Sequence, residues 1–188
     1  MSEIVLVRHT ETEWSLTGRH TGRSDIPLTE DGRAAARGLA ARLADRRFAV
    51  VVTSPLSRAS ESARLAGLDA TVEPDLVEWD YGEYEGLTTP QIRAGRPGWS
   101  LWRDGCPGGE DPAAVGERVD RVIARVLAAL TSDGDAAIVA HGHVLRVFGA
   151  RWCELDPAAG ARLRLDPGTV SVLGWERETA VIWRWNTS

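Results

Sequence analysis

The sequence predicts an α/β fold, a three-layer α/β/α sandwich built on a mostly parallel sheet. Residues 4–7, 48–52 and 136–140 are short continuous apolar runs, the pattern of strands buried on both faces of a parallel sheet. Segments with helix start signals and apolar spacings of three and four lie between and after them. Two further apolar runs near the C-terminus flank a polar turn. Strands that alternate with helices imply right-handed crossovers and helices on both sheet faces.

Ile4-Val5-Leu6-Val7 is the first strand. Residues 28–43 form a helix: Thr29 caps it, Glu30 and Asp31 suit its first turn, and an alanine-rich stretch runs on to Leu39 and Leu43. Residues 48–52 are the second strand. Ser54-Pro55 then reads as an N-cap followed by proline at the first helical position, opening a helix to about Gly67. Asp111-Pro112 repeats that signal, and Val115, Val119, Val122, Ile123, Val126, Leu127 and Leu130 recur on one helical face. Residues 136–140 are the third buried strand, followed by a helix over 144–153. Residues 170–173 and 181–183 flank Glu176-Arg177-Glu178-Thr179 as a terminal hairpin. Residues 74–110 differ, with Trp79, Tyr81, Tyr84, Trp99 and Trp102 among glycines and prolines and little periodicity. They read as an active-site loop or lid, although any one of these aromatics serves equally to pin the loop to the core.

At 188 residues the chain predicts one domain, residues 1–188, with a core large enough to need no disulfide or structural metal. A hydrophobic content of 43% with 26% charged residues excludes a mainly disordered protein. Cys106 and Cys153 lie apart without metal-ligand spacing and read as free thiols. Every apolar run is shorter than a membrane span and no leader pattern is present, so the expected setting is the cytoplasm, with no membrane partner. A net charge of −5 offers no global attraction for nucleic acid, so any anion must be held by local cations.

The chemistry concentrates where strands end. An open α/β sheet binds ligand at the carboxyl ends of its strands. Arg8-His9-Thr10 leaves the first strand there, His141 leaves the third, and Arg58 stands near the N-terminus of the helix after the second. Two guanidinium groups, two imidazoles and a helix N-terminus suit a phosphoryl group, whose oxygens need paired charge-assisted hydrogen bonds during transfer. Any single arginine more often forms a surface salt bridge, and it is the joint placement after three strands that favours a site. In His141-Gly142-His143, alternate residues leaving a strand point to opposite faces, which makes His143 the secondary contact. No His/Asp/Glu cluster at ligand spacing suggests a metal.

Leu6-Val7-Arg8-His9, Thr21-Gly22 with Asp25 and Pro27-Leu28-Thr29, Ser54-Pro55-Leu56-Ser57-Arg58, Glu78 with Gly82 and Glu85-Gly86, and Ala140-His141-Gly142 follow one another over nearly the whole chain. In this order they resemble the histidine phosphatase superfamily, the phosphoglycerate mutase-like group. Thr10 stands where the family's Arg-His-Gly triplet has glycine, and Ser15 where its mutases carry asparagine. The resemblance implies a phosphoglycerate mutase-like fold, His9 as the nucleophile that becomes phosphohistidine, and Arg8 and Arg58 as the grip on phosphate. It further implies His141 as the histidine that stabilises the transferring group and Glu78 as the proton donor. The residues alone leave Asp80, Glu83 and Glu85 open beside Glu78. A donor must be protonated, and crowding by Trp79, Tyr81 and Tyr84 would desolvate it.

Ser15, Thr21, Gly22, Gly142 and His143 complete the candidate phosphate and substrate contacts, with Trp102 either lining the pocket or anchoring the loop. Arg19, His20 and Arg146 are candidates for a second anionic group on the substrate. Trp102-Arg103-Asp104-Gly105-Cys106 and the run from His141 to Arg146 are similar to the family's sugar-bisphosphatases and broad-specificity acid phosphatases. The expected function is metal-independent hydrolysis of small phosphomonoesters, sugar phosphates or bisphosphates, with no cofactor. A second reading is a cofactor-dependent phosphoglycerate mutase on the same residues. A third is a catalytically silent binding or regulatory protein, which would have little need for His9, Arg8, Arg58, His141 and Glu78 together. The expected partner is a small phosphorylated metabolite. Trp175, Trp183 and Trp185 in the hairpin fit either a homodimer interface or core.

Overall fold

The computed structural model describes residues 2–130 and 134–188. The chain opens with β1 (Ile4–Arg8), passes through the short α1 (Glu13–Thr17) and the longer α2 (Glu30–Leu43), and returns as β2 (Phe48–Thr53). α3 (Ser57–Leu65) leads to the two-residue β3 (Thr71–Val72). Two single-turn 3-10 helices, α4 (Thr89–Gly95) and α5 (Leu101–Asp104) follow, then α6 (Pro112–Ala129), β4 (Asp135–Ala140) and α7 (Gly142–Trp152). The hairpin of β5 (Val170–Glu176) and β6 (Thr179–Thr187) ends the chain.

The six strands form one sheet in the order β3-β2-β4-β1-β5-β6. β3, β2, β4 and β1 are mutually parallel, and β5 and β6 add an antiparallel edge. Alternation along β1 sorts its side chains between two cores. Ile4 and Leu6 pack with Val115, Val119 and Val122 of α6 and Val144, Leu145 and Phe148 of α7. Val5 and Val7 pack with Leu39 and Leu43 of α2 and Ala63 of α3. Helices therefore cover both faces, as the three-layer expectation required. In the parallel register Arg8 lies opposite Ala140, so the residues leaving β1 and β4, His9 and His141, emerge side by side.

Three departures from the sequence reading have local causes. α3 starts at Ser57, not at Pro55, and its N-cap is Leu56 in extended conformation with no side-chain cap. The Ser54 N–H donates to Val139 O (3.0 Å), so Ser54 still belongs to the strand ladder. α7 starts at Gly142 with His141 as N-cap, two residues ahead of the expected start. Residues 74–110 are a packed wall with short helices. Trp79, Trp99 and Tyr81 are buried in the larger core, and the indoles of Trp79 and Trp99 donate to Glu110 O and Gly105 O. The hairpin divides similarly, since Trp175 and Trp185 pack against that core while Trp183 is 53% exposed. Among the described residues no helix is long and apolar enough to cross a membrane, and Cys106 and Cys153 are free.

α2 is docked directly on the segment that follows His9. The Thr29 N–H and hydroxyl donate to Glu11 O and Glu11 Oε1, and a Cβ on Gly32 would stand 2.3 Å from Glu11 O. Gly32→Ala must push the two apart, and we expect it to lower stability by about 1–3 kcal/mol. Urea denaturation checks this, and an unchanged midpoint with unchanged slope would refute the close approach.

Candidate active site

The carboxyl ends of β2, β4 and β1 are adjacent, and each supplies one part of the site. His9 leaves β1 with its N–H donated to Ala140 O (2.9 Å). Its Nδ1 lies 2.7 Å from Thr10 O, an acceptor only, so the proton sits on Nδ1 and Nε2 carries the free lone pair. Burial first, then the charges of Arg8 and Arg58, hold the His9 pKa well below the usual imidazole value. The ring is therefore neutral at physiological pH. Thr10 has no positive φ; its N–H donates to Ser62 Oγ, so threonine occupies the glycine position without backbone strain.

Arg8 is anchored by one donation to Leu165 O (2.5 Å), while its buried Nε has no partner. The guanidinium lies over the start of α7, where a Cβ on Gly142 would be 3.2 Å from Cζ. Glycine there lets the cation rest against the helix backbone. Arg58 is fully buried and differently held. Its Nε donates to His141 Nδ1 (3.1 Å), Nη1 to Ser24 O, and Nη2 to Thr21 O and Gly22 O. Burial lowers the pKa of both arginines, with Glu78 opposing in each case.

His141 is fully buried, its ring centroid 5.1 Å from that of His9. Its Nε2 is 2.7 Å from Ser54 Oγ. Burial first, then Arg58 and His9, push its pKa well below the usual value. Glu78 meets the positive end of α7, its carboxylate accepting the N–H groups of Trp79, His143 and Val144, each at 2.9 Å. Three amide donors, more than aromatic crowding, define its surroundings; Tyr84 packs against Trp99 instead (5.2 Å between centroids).

These groups surround a cavity of about 180 Å³ whose wall includes Arg8, His9, Ser15, Arg19, His20, Thr21, Glu78, Gly142, His143 and Arg146. Arg58 and His141 are fully buried and do not line this cavity. Ser15 reaches the wall from α1, where its hydroxyl donates to Thr12 O (2.8 Å). His20 packs on Tyr81 (4.7 Å), and burial drops its pKa to about 4; Arg19 lies 5.7 Å over Trp14.

Three of the sequence-predicted residues are placed by their local surroundings as follows. Gly22 is off the cavity wall: its N–H donates to Glu85, its carbonyl accepts from Arg58, and a Cβ would meet Trp79 O at 2.5 Å. Trp102 also stays off the wall and backs it, with Arg146 4.6 Å over its ring and His143 5.4 Å away. His143 is not on a strand exit but in the first turn of α7, so it reaches the cavity as well, with Nδ1 2.5 Å from Tyr81 Oη. Sequence reasoning missed Ser54, whose hydroxyl was assigned to capping, and the Leu165 carbonyl, which no motif marks. It treated Tyr81 only as bulk.

Residues 4–188 match the histidine phosphatase superfamily (branch 1). The chain belongs to that superfamily. This histidine phosphatase is 41% identical over 185 residues to an acid phosphatase of Mycobacterium tuberculosis, covering 95% of this chain and 91% of that one. It is 35% identical over 186 residues to a sedoheptulose 1,7-bisphosphatase of Saccharomyces cerevisiae, covering 80% and 67%. A solved structure of an open reading frame product of Mycobacterium tuberculosis superposes with a TM-score of 0.95 at 38% identity, covering 100% and 98%. The enzyme class is that of these named phosphatases, a phosphoric monoester hydrolase.

The depressed histidines make two pH predictions. Because His9 stays neutral below its ordinary pKa, kcat/KM should show no acid inflection near 6.5 assignable to His9, only one at lower pH. A pH–rate profile that fell through 6.5 by losing His9 nucleophilicity would contradict the assignment. Stability runs the other way. His9, His20, His141 and His143 take up protons in the unfolded chain below about 6.5 but not in the folded one. Each therefore removes about 1.4 kcal/mol per pH unit as pH falls from the unfolded to the folded pKa, a window that for His20 closes near 4. Melting temperatures between pH 7.5 and 4.5 should decline progressively once below 6.5.

Proposed function

We propose that this histidine phosphatase hydrolyses small phosphomonoesters, sugar phosphates or sugar bisphosphates, through a phosphohistidine on His9. The observation that carries the reading is the bond between His9 Nδ1–H and Thr10 O, which leaves Nε2 as the nucleophile in a cavity that Arg8, with its unpartnered Nε–H, also lines. In the first step a P–Nε2 bond forms as the ester P–O bond breaks, and a protonated Glu78 gives its proton to the leaving alkoxide. In the second, water attacks phosphorus, Glu78 takes the proton back, and the P–N bond breaks to return neutral His9. Arg8, on the wall with its Nε–H free, bonds the oxygens that gather charge, and the buried Arg58 adds its positive charge to the same end of the site.

Arg8, Arg19 and Arg146 line the cavity against the single carboxylate of Glu78. That excess of positive charge favours a substrate with a second anionic group. Arg146 is prepared for it, since Nε and Nη2 are fixed on Gly160 O and Ala161 O and its face rests on Trp102. The names of the relatives, an acid phosphatase and a sugar bisphosphatase, support the same substrate class. Two unpaired thiols fit a reducing cytoplasmic setting.

His9→Ala should reduce phosphate release from sugar mono- and bisphosphates by at least about a thousandfold, and mass spectrometry of quenched wild-type enzyme should find one phosphoryl group on His9. Retained turnover in that variant, or a label elsewhere, removes the proposal; isomerisation of 3-phosphoglycerate outrunning phosphate release would replace it with the mutase. Arg146→Ala should raise KM for a bisphosphate about tenfold and leave that for a monophosphate nearly unchanged. An equal effect on both would argue against a second anion at Arg146.

A further inference from the structure

Glu78 stands in a stretch without regular structure, between the two single-turn 3-10 helices, so no strand ladder or helix holds its backbone. The hold comes from α6 and the loop before it. Arg118 sits in the apolar stripe of α6, between Val115 and Val122, and is 5% exposed. Its Nη1 donates to both Asp75 O and Val77 O (2.7 Å each), while Nε and Nη2 make a fork on the Glu110 carboxylate (2.8 and 3.0 Å). Glu110 extends the grip. Its Oε2 accepts the Asp80 N–H (2.8 Å), its own N–H donates to Asp80 O (2.9 Å), and its carbonyl accepts the Trp79 indole N–H (3.0 Å). One ion pair thus fixes Asp75, Val77, Trp79 and Asp80, and the residue enclosed among them is Glu78, whose side chain goes to the cavity wall.

We propose that Arg118 and Glu110 are positioning residues for the proton donor: together they hold the main chain on both sides of Glu78, so that its carboxyl group meets the oxygen of the departing alcohol. This rests on the reading that Glu78 protonates the leaving group, and it deepens that reading. Neither residue lines the cavity. The amides of His143 and Val144 fix the carboxyl end of Glu78, and the ion pair fixes its other end. Both ends matter, because proton transfer needs hydrogen-bond reach to the leaving oxygen and a misplacement of about 1 Å can cost a hundredfold. Burying an ion pair costs desolvation that apolar side chains would avoid, so what this pair supplies is geometry. A guanidinium forked on a carboxylate has a fixed orientation, and here its remaining bonds go to the backbone that carries Glu78.

The test compares two esters by kcat/KM, which covers the steps up to release of the alcohol. The aryl ester 4-nitrophenyl phosphate expels a stable phenolate and needs little protonation, whereas a sugar monophosphate turned over by the wild-type enzyme expels an alkoxide and depends on it. Arg118→Gln should lower kcat/KM for the sugar phosphate roughly tenfold to a hundredfold and for the aryl ester less than about threefold, the retained aryl turnover showing that the phosphate cradle is intact. Glu110→Gln, which keeps an acceptor for the Asp80 N–H, should move the ratio of the two esters the same way by a smaller factor, and Arg118→Lys should recover part of the loss. In a Glu78→Gln background, Arg118→Gln should leave that ratio unchanged, because the pair acts through Glu78. Equal losses on both esters in a folded variant, as a merely structural pair would give, or a further fall in the ratio once Glu78 is replaced, overturns the inference. Should Arg118→Gln fail to fold, an unchanged ratio in Glu110→Gln and Arg118→Lys overturns it as well. If instead Glu78→Gln alone lowers both esters equally, it is the reading of Glu78 as proton donor that has failed, whatever the Arg118 variants do.

Discussion

Everything in this site follows from placing two arginines and the positive end of a helix around two buried, neutral imidazoles. Desolvating a guanidinium is costly unless its donors find acceptors, and the two arginines meet that demand in opposite ways. Arg58 uses neutral dipoles, three backbone carbonyls and a ring nitrogen. Arg8 has a single carbonyl and keeps a buried Nε–H without a partner. A buried orphan donor on a cation is a standing demand for an anion, and one with several oxygens satisfies it best. Burial first, and then these same cations, hold His9 and His141 neutral, so the arginines that attract an anion also help to keep a lone pair on His9.

The sheet makes that arrangement possible. Parallel register between β1 and β4 delivers His9 and His141 at one level, and β2 beside β4 brings Ser54 within a hydrogen bond of His141. Glu78, arriving from a different direction, takes the first amides of α7 and offsets the charge of the cations above it. It ties residues 74–110 to the strand-derived half of the site, so loss of Glu78 would free two helix amides as well as remove a carboxyl group. Gly142 completes the junction by leaving room for Arg8 against the helix.

Much of this was legible in the sequence because continuous apolar runs announce buried parallel strands, and their ends are where such folds bind ligand. Arg8, His9 and His141 are found by that logic alone. What escaped it depends on competition between local and distant partners. Ser54-Pro55 has the composition of a helix cap, yet the serine hydroxyl goes to an imidazole 87 positions away, and the helix begins later. His141-Gly142-His143 looks like a strand running out, but the helix starts immediately and turns His143 into the cavity. Residues 74–110 lack long-range periodicity because their order comes from large aromatics entering the core, each through its own indole or phenol bond. A periodic pattern requires a repeating face, and four-residue and seven-residue helices have none to show.

The division of labour within the cavity follows from that contrast. The strand-derived half contributes charge and fixed ring nitrogens, and it tolerates little change because its groups are buried and bonded to one another. The other half, His20, Tyr81 and His143 with Trp99 and Trp102 behind them, is aromatic and largely neutral, joined by ring contacts of 4.7 to 6.0 Å. Ring contacts of this kind are weakly directional, so side chains here can be exchanged without unsettling the phosphate cradle. Arg146 bridges the two, rising from α7 while resting on Trp102. The sheet edge fixes the charged groups, and a change at Trp102 would reach the cavity wall through His143 and Arg146, which line it and meet the Trp102 ring.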